Sequence, residues 1–303
     1  MKFSIFQQTR TGGRKYNQDR VGYVFSRDAL FLIVADGMGG HLNGEVAAQI
    51  TLEYMARQFQ KEARPALSNP LSFLGDAVNG AHQAILGHAE KNGLLETPRT
   101  TVVAAVIQKG VAYWVHVGDS RLYLLREGQV ASRTVDHSHV QQLVQKGLIR
   151  EEAVASHPER NKIFNCLGAH IPPSIELSAK HVLKTGDTLL LCSDGLWGPL
   201  PARLLATAFL NEPLAKAIPA LMNLAEQRAG KDADNITALA ITWNEDESAP
   251  EGISTLTLPP GEFNSQMDAN SAAELAGEVS DDEIEKAIAD IKNALAKSNR
   301  PRG

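Results

Sequence analysis

The 303-residue sequence predicts a layered α+β domain followed by a separate C-terminal tail. Three features point there. Short apolar runs of strand length recur through the first 243 residues, several of them split by glycine-bearing turns. Segments with helical spacing come in pairs and do not alternate one for one with strands, which disfavours parallel βαβ units. From about residue 244 the chain turns acidic and proline-bearing, which marks the end of the packed body.

The elements follow in order. Strands are expected at Lys2–Gln8, Arg20–Ser26 and Leu30–Ala35, the last continuously apolar as a strand buried on both faces should be. Helical spacing then takes over at Gly44–Gln60, with Val46, Ile50 and Tyr54 on one face, and again at Pro70–Lys91. Thr100–Gln108, Val111–Val117, Arg121–Arg126 and Gln129–Arg133 read as strands separated by Lys109-Gly110, Gly118-Asp119-Ser120 and a turn at Gly128. Ser138–Lys146 reads as a helix, and 147–173 as a long irregular surface segment. Ile175–Val182 and Asp187–Ser193 read as strands, about 200–209 and 213–229 as helices, and Ile236–Trp243 as a last strand. The tail divides into a flexible linker, 244–279, and a short amphipathic helix, 280–298. That helix opens on the capping box Ser280-Asp281-Asp282-Glu283 and carries the apolar stripe Ile284, Ile288, Ile291 and Leu295.

Composition narrows the function classes. Apolar residues make up 43% of the chain, enough for a packed core. Residues 244–303 hold 13 acids and 5 bases, whereas 1–243 hold 22 acids and 25 bases with no dense basic stripe, so no nucleic-acid partner is expected. Apolar runs are far shorter than the ~20 residues of a membrane span, and Met1–Gly13 lacks a signal-like apolar core. With only Cys166 and Cys192, a reducing, cytoplasmic setting is expected.

The chemistry lies in the aspartates. Asp36 ends the run Leu32-Ile33-Val34-Ala35 and precedes Gly37; Asp194 ends Leu189 to Ser193 and precedes Gly195; Asp119 ends Trp114 to Gly118. Asp19 and Asp234 stand beside predicted strands. A single Asp-Gly after a strand is usually a turn. Several in one domain place carboxylates at one sheet end, where they repel unless divalent cations offset them. Oxygen donors without clustered His or Cys favour magnesium or manganese over zinc. Two such ions can activate a water for attack on a phosphate ester.

Six ordered elements then carry a resemblance: Arg14-x-x-Asn17-Gln18-Asp19, Ala35-Asp36-Gly37-Met38-Gly39-Gly40-His41-x-x-Gly44-Glu45, Val117-Gly118-Asp119-Ser120-Arg121, Asp136-His137-Ser138, Ser193-Asp194-Gly195-Leu196-Trp197 and Asp234-Asn235-x-Thr237. Together, over about 1–243, they resemble the metal-dependent protein phosphatase family, type 2C, in its bacterial form. The resemblance implies a central β-sandwich of two antiparallel sheets flanked by helices. It implies hydrolysis of phosphoserine and phosphothreonine in proteins by a water activated on a dinuclear Mn2+ or Mg2+ centre, reversing a bacterial serine/threonine kinase. In that scheme Asp36 bridges two ions, the Gly37 carbonyl joins one, Asp194 and Asp234 complete the other, and Asp19 supports the cluster through water. Asp119 with Asp194 holds a weaker third ion, and Arg14 clamps the phosphate. His41 is either the general acid for the departing alcohol or a structural turn residue. His137-Ser138-His139 reads as a turn in preference to a metal pair.

Three departures from the family pattern are Arg99 before Thr100-Thr101, Asn165 in the segment resembling the family's flap (147–168), and Gln18 beside Asp19. A competing reading keeps the fold but not the activity, as a phosphoprotein-binding regulator; the complete set Asp36, Asp194 and Asp234 speaks against it. A cysteine phosphatase needs Cys-x5-Arg, and neither cysteine has an arginine six residues on. The tail helix is expected to dock a protein partner or to regulate the enzyme.

Overall fold

The computed structural model describes residues 1–38, 43–244, 253–254 and 263–266. In chain order its strands are β1 (Lys2–Arg10), β2 (Asp19–Phe25), β3 (Ala29–Asp36), β4 (Val102–Gln108), β5 (Val111–Val117), β6 (Arg121–Arg126), β7 (Gln129–Arg133), β8 (Glu176–Leu177), β9 (His181–Val182), β10 (Thr188–Cys192), β11 (Ile236–Trp243), β12 (Ile253–Ser254) and β13 (Phe263–Gln266). The α-helices are α1 (Gly44–Glu62), α2 (Pro70–Lys91), α3 (His139–Gln145), α4 (Asp194–Trp197), α5 (Ala202–Thr207) and α6 (Leu214–Ala229).

Two antiparallel sheets form a sandwich. One runs β12-β1-β11-β10-β6-β7; the other runs β13-β2-β3-β4-β5-β8, with β9 also paired to β5. The sheets pack through Leu30, Leu32 and Val34 of β3, Val103, Ala105 and Ile107 of β4, Leu189 and Leu191 of β10, and Leu239 and Ile241 of β11. The alternate residues of the same strands face outward onto helices. Phe31 and Ile33 meet α1 and α2 in one core, and Leu190, Ala238 and Ala240 meet α4, α5 and α6 in another. The strands are therefore apolar at consecutive positions because each face is covered, giving α-β-β-α layers.

Most boundaries fall where hydrophobic period and turn chemistry place them. α2 begins at Pro70 behind Asn69, whose side chain accepts from Ser72 N, and α3 begins behind Ser138, which accepts from Gln141 N. Ile175–Val182, expected as one strand, is broken into β8 and β9. Between them Ser178 turns aside, its Oγ accepting from Trp114 N at 2.9 Å and donating to the Ala179 carbonyl at 2.7 Å. The expected irregular segment 147–173 contains a 3-10 turn, Glu151–Ser156. Within the stretch expected as linker, β12 pairs with β1 and β13 with β2. Each strand covers a sheet edge that would otherwise present unpaired backbone groups. The helix expected at 280–298 lies outside the described residues. No helix among the described residues is long and apolar enough to cross a membrane.

Register decides what gathers at one end of the sandwich. In the second sheet, β2 begins where β3 ends, and β5 ends where β4 begins. In the first sheet, β10 ends at Cys192 opposite Arg121 of β6 and Ala238 of β11. Antiparallel pairing thus brings the starts of β2, β4, β6 and β11 to the same end as the finishes of β3, β5 and β10.

Candidate metal centre

The register sets Asp19 directly across from Asp36. Like charges at paired positions repel, so the sheet alone does not favour this arrangement. Asp194 opens α4 straight after β10, Asp119 follows β5, and Asp234 sits just before β11. All five carboxylates interact: Asp36 feels Asp19, Asp194, Asp119 and Asp234, and Asp194 feels Asp119, Asp234 and Asp19. Burial, reinforced by these neighbours, holds the Asp36 and Asp194 carboxyls well above the ordinary carboxylate range. Burial also lifts Asp19 to about 6, against the opposing pull of hydrogen bonds from Ser193 and Thr237. Asp119 rises to about 7 through burial and then the charge of Asp136, with Arg121 opposing.

Asp19 shows what the cluster needs. It is 1% exposed, and its Oδ2 accepts from Ser193 Oγ at 2.7 Å. Its Oδ1 is buried with no hydrogen-bond partner. A buried carboxylate oxygen without a donor calls for a proton, a water or a cation. Five converging oxygen donors without imidazole or thiolate fit hard divalent cations of the magnesium and manganese kind.

The surrounding chain is built to hold these groups. The Asp36 carbonyl accepts from Thr101 N at 2.9 Å and Thr100 Oγ1 at 2.8 Å. Gly37 N donates to the Gln18 carbonyl at 3.1 Å, and a Cβ on Gly37 would lie 2.4 Å from the Gly44 carbonyl oxygen. Only glycine lets β3 run this close to the start of α1. Gln18, one of the departures noted above, donates from Nε2 to Glu45 Oε2 at 2.8 Å; an acid there would face a second carboxylate. Arg99, the second departure, has its carbonyl accepting from Met38 N at 3.0 Å, so its backbone supports the segment after Gly37. Around Asp119, Trp197 Nε1 donates to its carbonyl at 3.0 Å, and the Arg121 guanidinium lies 3.5 Å over the Trp197 ring. Arg121 is itself clamped by Asp136 in two bonds of 2.7 and 2.6 Å, both side chains buried.

Arg14 stands on the rim of the cluster. Its Nη2 donates to Asp234 Oδ2 at 2.6 Å, and its side chain keeps 52% of its surface open. The bond and charge of Asp234, with help from Asp194 and Asp36, push the Arg14 guanidinium up. Asn235 fixes the loop that carries it, donating from Nδ2 to the Thr11 and Tyr16 carbonyls at 2.9 Å each and accepting from Gln18 N at 2.8 Å. The structure thus brings together Arg14, Asp19, Asp36, Gly37, Asp119, Asp194 and Asp234. His41 lies outside the described residues. Ser193, Asn235 and Thr100 received no role from sequence reasoning. Ser193 and Asn235 adjoin Asp194 and Asp234, a proximity that was the available signal, whereas Thr100 becomes visible only through strand pairing.

A second group, His116, His137 and Glu176, offers ligand atoms within 4.8 Å of one another. Its hydrogen bonds tell against a cation. His137 Nδ1 accepts from Gly118 N at 3.2 Å and from Asn165 Nδ2 at 2.7 Å. With Nδ1 an acceptor, the neutral ring carries its proton on Nε2, which donates to Glu176 Oε2 at 3.2 Å and has no lone pair for a metal. The two cysteines offer no nucleophile: burial raises both thiols.

A β-sandwich with acidic groups gathered at one end and an arginine on the rim is the arrangement expected of a metal-dependent phosphatase, and comparison with known proteins agrees. The family model described as protein phosphatase 2C matches residues 9–233. The chain is 34% identical over 238 residues to a putative protein phosphatase 2C-type of Streptococcus pyogenes, covering 77% of this chain and 94% of that protein. It is 36% identical over 227 residues to the serine/threonine protein phosphatase PstP of Mycobacterium tuberculosis, covering 75% of this chain but 42% of PstP. Among solved structures, the S. agalactiae serine/threonine phosphatase superposes with a TM-score of 0.71 at 30% identity, covering 79% of this chain and 99% of that one. The catalytic domain of PstP in complex with two manganese ions superposes with a TM-score of 0.68 at 31% identity, covering 80% and 99%. The chain belongs to the protein phosphatase 2C family, the metal-dependent serine/threonine protein phosphatases.

Proposed function

We propose that the chain hydrolyses phosphoserine and phosphothreonine in proteins at a dinuclear Mn2+ or Mg2+ centre, reversing a serine/threonine kinase. The observation that carries this is the convergence of five aspartates from both sheets on one end of the sandwich, one of them with a buried oxygen lacking any donor. Asp36, the Gly37 carbonyl, Asp194 and Asp234 are the groups that would hold the two core cations, with Asp19 behind them. Asp119 and Asp194 would share a weaker third. When bound, such cations lower the pKa of water and polarise a phosphoryl oxygen. Ser193 fixes the rotamer of Asp19 by its 2.7 Å hydrogen bond, and Asn235 fixes the height of the Arg14 loop. Arg14, which donates to Asp234 in the free protein, would give up that bond to take a phosphate oxygen. His41 would return a proton to the departing alcohol, a role that rests on the sequence motif. The test is hydrolysis of a phosphothreonine peptide with manganese and with chelator. Turnover that survives chelation would sink the proposal.

Replacing Arg14 by alanine should raise KM for a phosphopeptide by roughly 10–100-fold, the worth of a charge-assisted hydrogen bond to phosphate. Steady-state kinetics on the variant at saturating manganese checks this, and an unchanged KM removes Arg14 from the phosphate site.

For the tail, a helix at 280–298 would dock a protein partner or regulate the enzyme. Deleting 246–303 removes β12 and β13, which add only short edge pairings. Turnover of a small ester should therefore persist while the choice among protein substrates changes. Collapse of small-ester turnover would make the tail part of the catalytic body.

A further inference from the structure

His137 joins two distant segments of the chain, the turn before Asp119 and the 147–168 stretch. It brackets Gly118 from both directions: His137 N donates to the Gly118 carbonyl at 2.9 Å, and its ring Nδ1 accepts the Gly118 N–H at 3.2 Å. Gly118 has φ +106°, a conformation L-residues rarely adopt, and a Cβ there would meet Thr101 Cβ at 2.6 Å. The turn that delivers Asp119 is thus forced, and His137 secures the two peptide groups that force it. On its other side His137 holds the flap segment. Its carbonyl accepts from Phe164 N at 3.0 Å, and its Nδ1 accepts from Asn165 Nδ2 at 2.7 Å. The Asn165 amide cannot turn over without loss, because Ser174 N donates to its Oδ1 at 3.1 Å and its Nδ2 donates to the Ser174 carbonyl at 2.7 Å. One ring nitrogen therefore receives both the turn before Asp119 and the flap. The ring itself stacks on His116, centroids 4.6 Å apart, so it has little freedom to follow one partner without the other.

We infer that His137, through Asn165, is a positioning residue that couples the flap to the turn presenting Asp119. The turn that carries Asp119 and the 147–168 segment are then set together. Asn165, noted above as a departure from the family pattern, is what makes this bond: a lysine or arginine would have no acceptor for Ser174 N and would not pair with its backbone in both directions. The inference rests on the reading that Asp119 holds a cation. It concerns the neighbours of that ligand, and partners of this outer kind commonly change metal affinity or activity by 10–100-fold.

The experiment uses the full chain and titrates manganese against turnover of a phosphothreonine peptide and of para-nitrophenyl phosphate, and in parallel against melting temperature, so that manganese binding is read apart from turnover. The variants are Asn165→Ala, His137→Ala, His137→Asn and Asp119→Asn. Asn165→Ala and His137→Ala should raise the half-activating manganese concentration about tenfold. They should also raise KM for the peptide more than KM for the small ester, with excess manganese recovering most of the turnover. His137→Asn, whose amide oxygen can sit where Nδ1 sits, should restore the half-activating concentration toward that of the unaltered chain; a residue that merely fills space would not be rescued this way. If His137→Ala does not fold, Asn165→Ala decides. Unaltered manganese dependence and KM in Asn165→Ala, alongside an impaired Asp119→Asn, overturn the coupling alone. An Asp119→Asn variant equal to the unaltered chain overturns the cation role of Asp119, and the coupling falls with it.

Discussion

Asp194→Ala should abolish measurable hydrolysis of a phosphothreonine peptide, a loss of roughly a thousandfold or more, while the chain stays folded. The magnitude follows from what the carboxylate holds. Cation polarisation of a phosphate is worth several kcal/mol of transition-state stabilisation, and about 1.36 kcal/mol is a factor of ten in rate. Asp194 interacts with Asp119, Asp234, Asp19 and Asp36, so its removal touches every cation the cluster would hold. The variant also carries its own control for folding. Asp194 contributes to the mutual repulsion of the cluster, and with chelator at pH 8 the alanine variant should melt at or above the temperature of the unaltered chain. Manganese should then shift its melting temperature much less. Retained turnover at saturating manganese would remove Asp194 from the centre.

The fold was legible because its layers write themselves into hydrophobic period. β3, β4, β10 and β11 are apolar at consecutive positions since a sheet lies on one face and helices on the other. The ends of β5, β6, β7 and α2 fall where turn and cap residues announce them. α4 was not legible as a helix. Its four residues, Asp194–Trp197, carry too little periodicity to register, and Asp194-Gly195 reads as a turn. The break between β8 and β9 depends on a side-chain bond to Trp114, a contact 64 residues away that no local pattern encodes. The same division holds in the site. Asp36, Asp119 and Asp194 announce themselves at the end of apolar runs and Asp19 and Asp234 beside strands, but Thr100 holding the Asp36 carbonyl, Asn235 stapling the Arg14 loop and His137 bracketing Gly118 are products of tertiary pairing. Motif order pointed to the carboxylates that gather at one end of the sandwich; only the register of the two sheets brings in the residues that hold them still.

Stripped of divalent ions, the protein should lose stability as pH rises from about 4 to about 7, and manganese should reverse that slope. Asp19 and Asp119 have folded-state carboxyls raised to about 6 and about 7, above the ordinary range near 4 of an unfolded chain. Between those limits the folded protein keeps protons that the unfolded chain has released. Unfolding then becomes more favourable with each step up in pH. A raised carboxyl contributes its full stabilisation only below the unfolded pKa, and the contribution is gone above the folded one. A shift of about two units for Asp19, at about 1.36 kcal/mol each, is on the order of 3 kcal/mol. In a domain of this size that corresponds to roughly 5–10 °C in melting temperature. Cations compete with those protons for the same oxygens, so the manganese-induced rise in melting temperature should be small at pH 5 and large at pH 8. Thermal melts with chelator and with excess manganese across that range test both slopes. A chelated protein that becomes more stable from pH 5 to pH 8 would mean that the five carboxylates do not face one another in a shared, cation-dependent cluster.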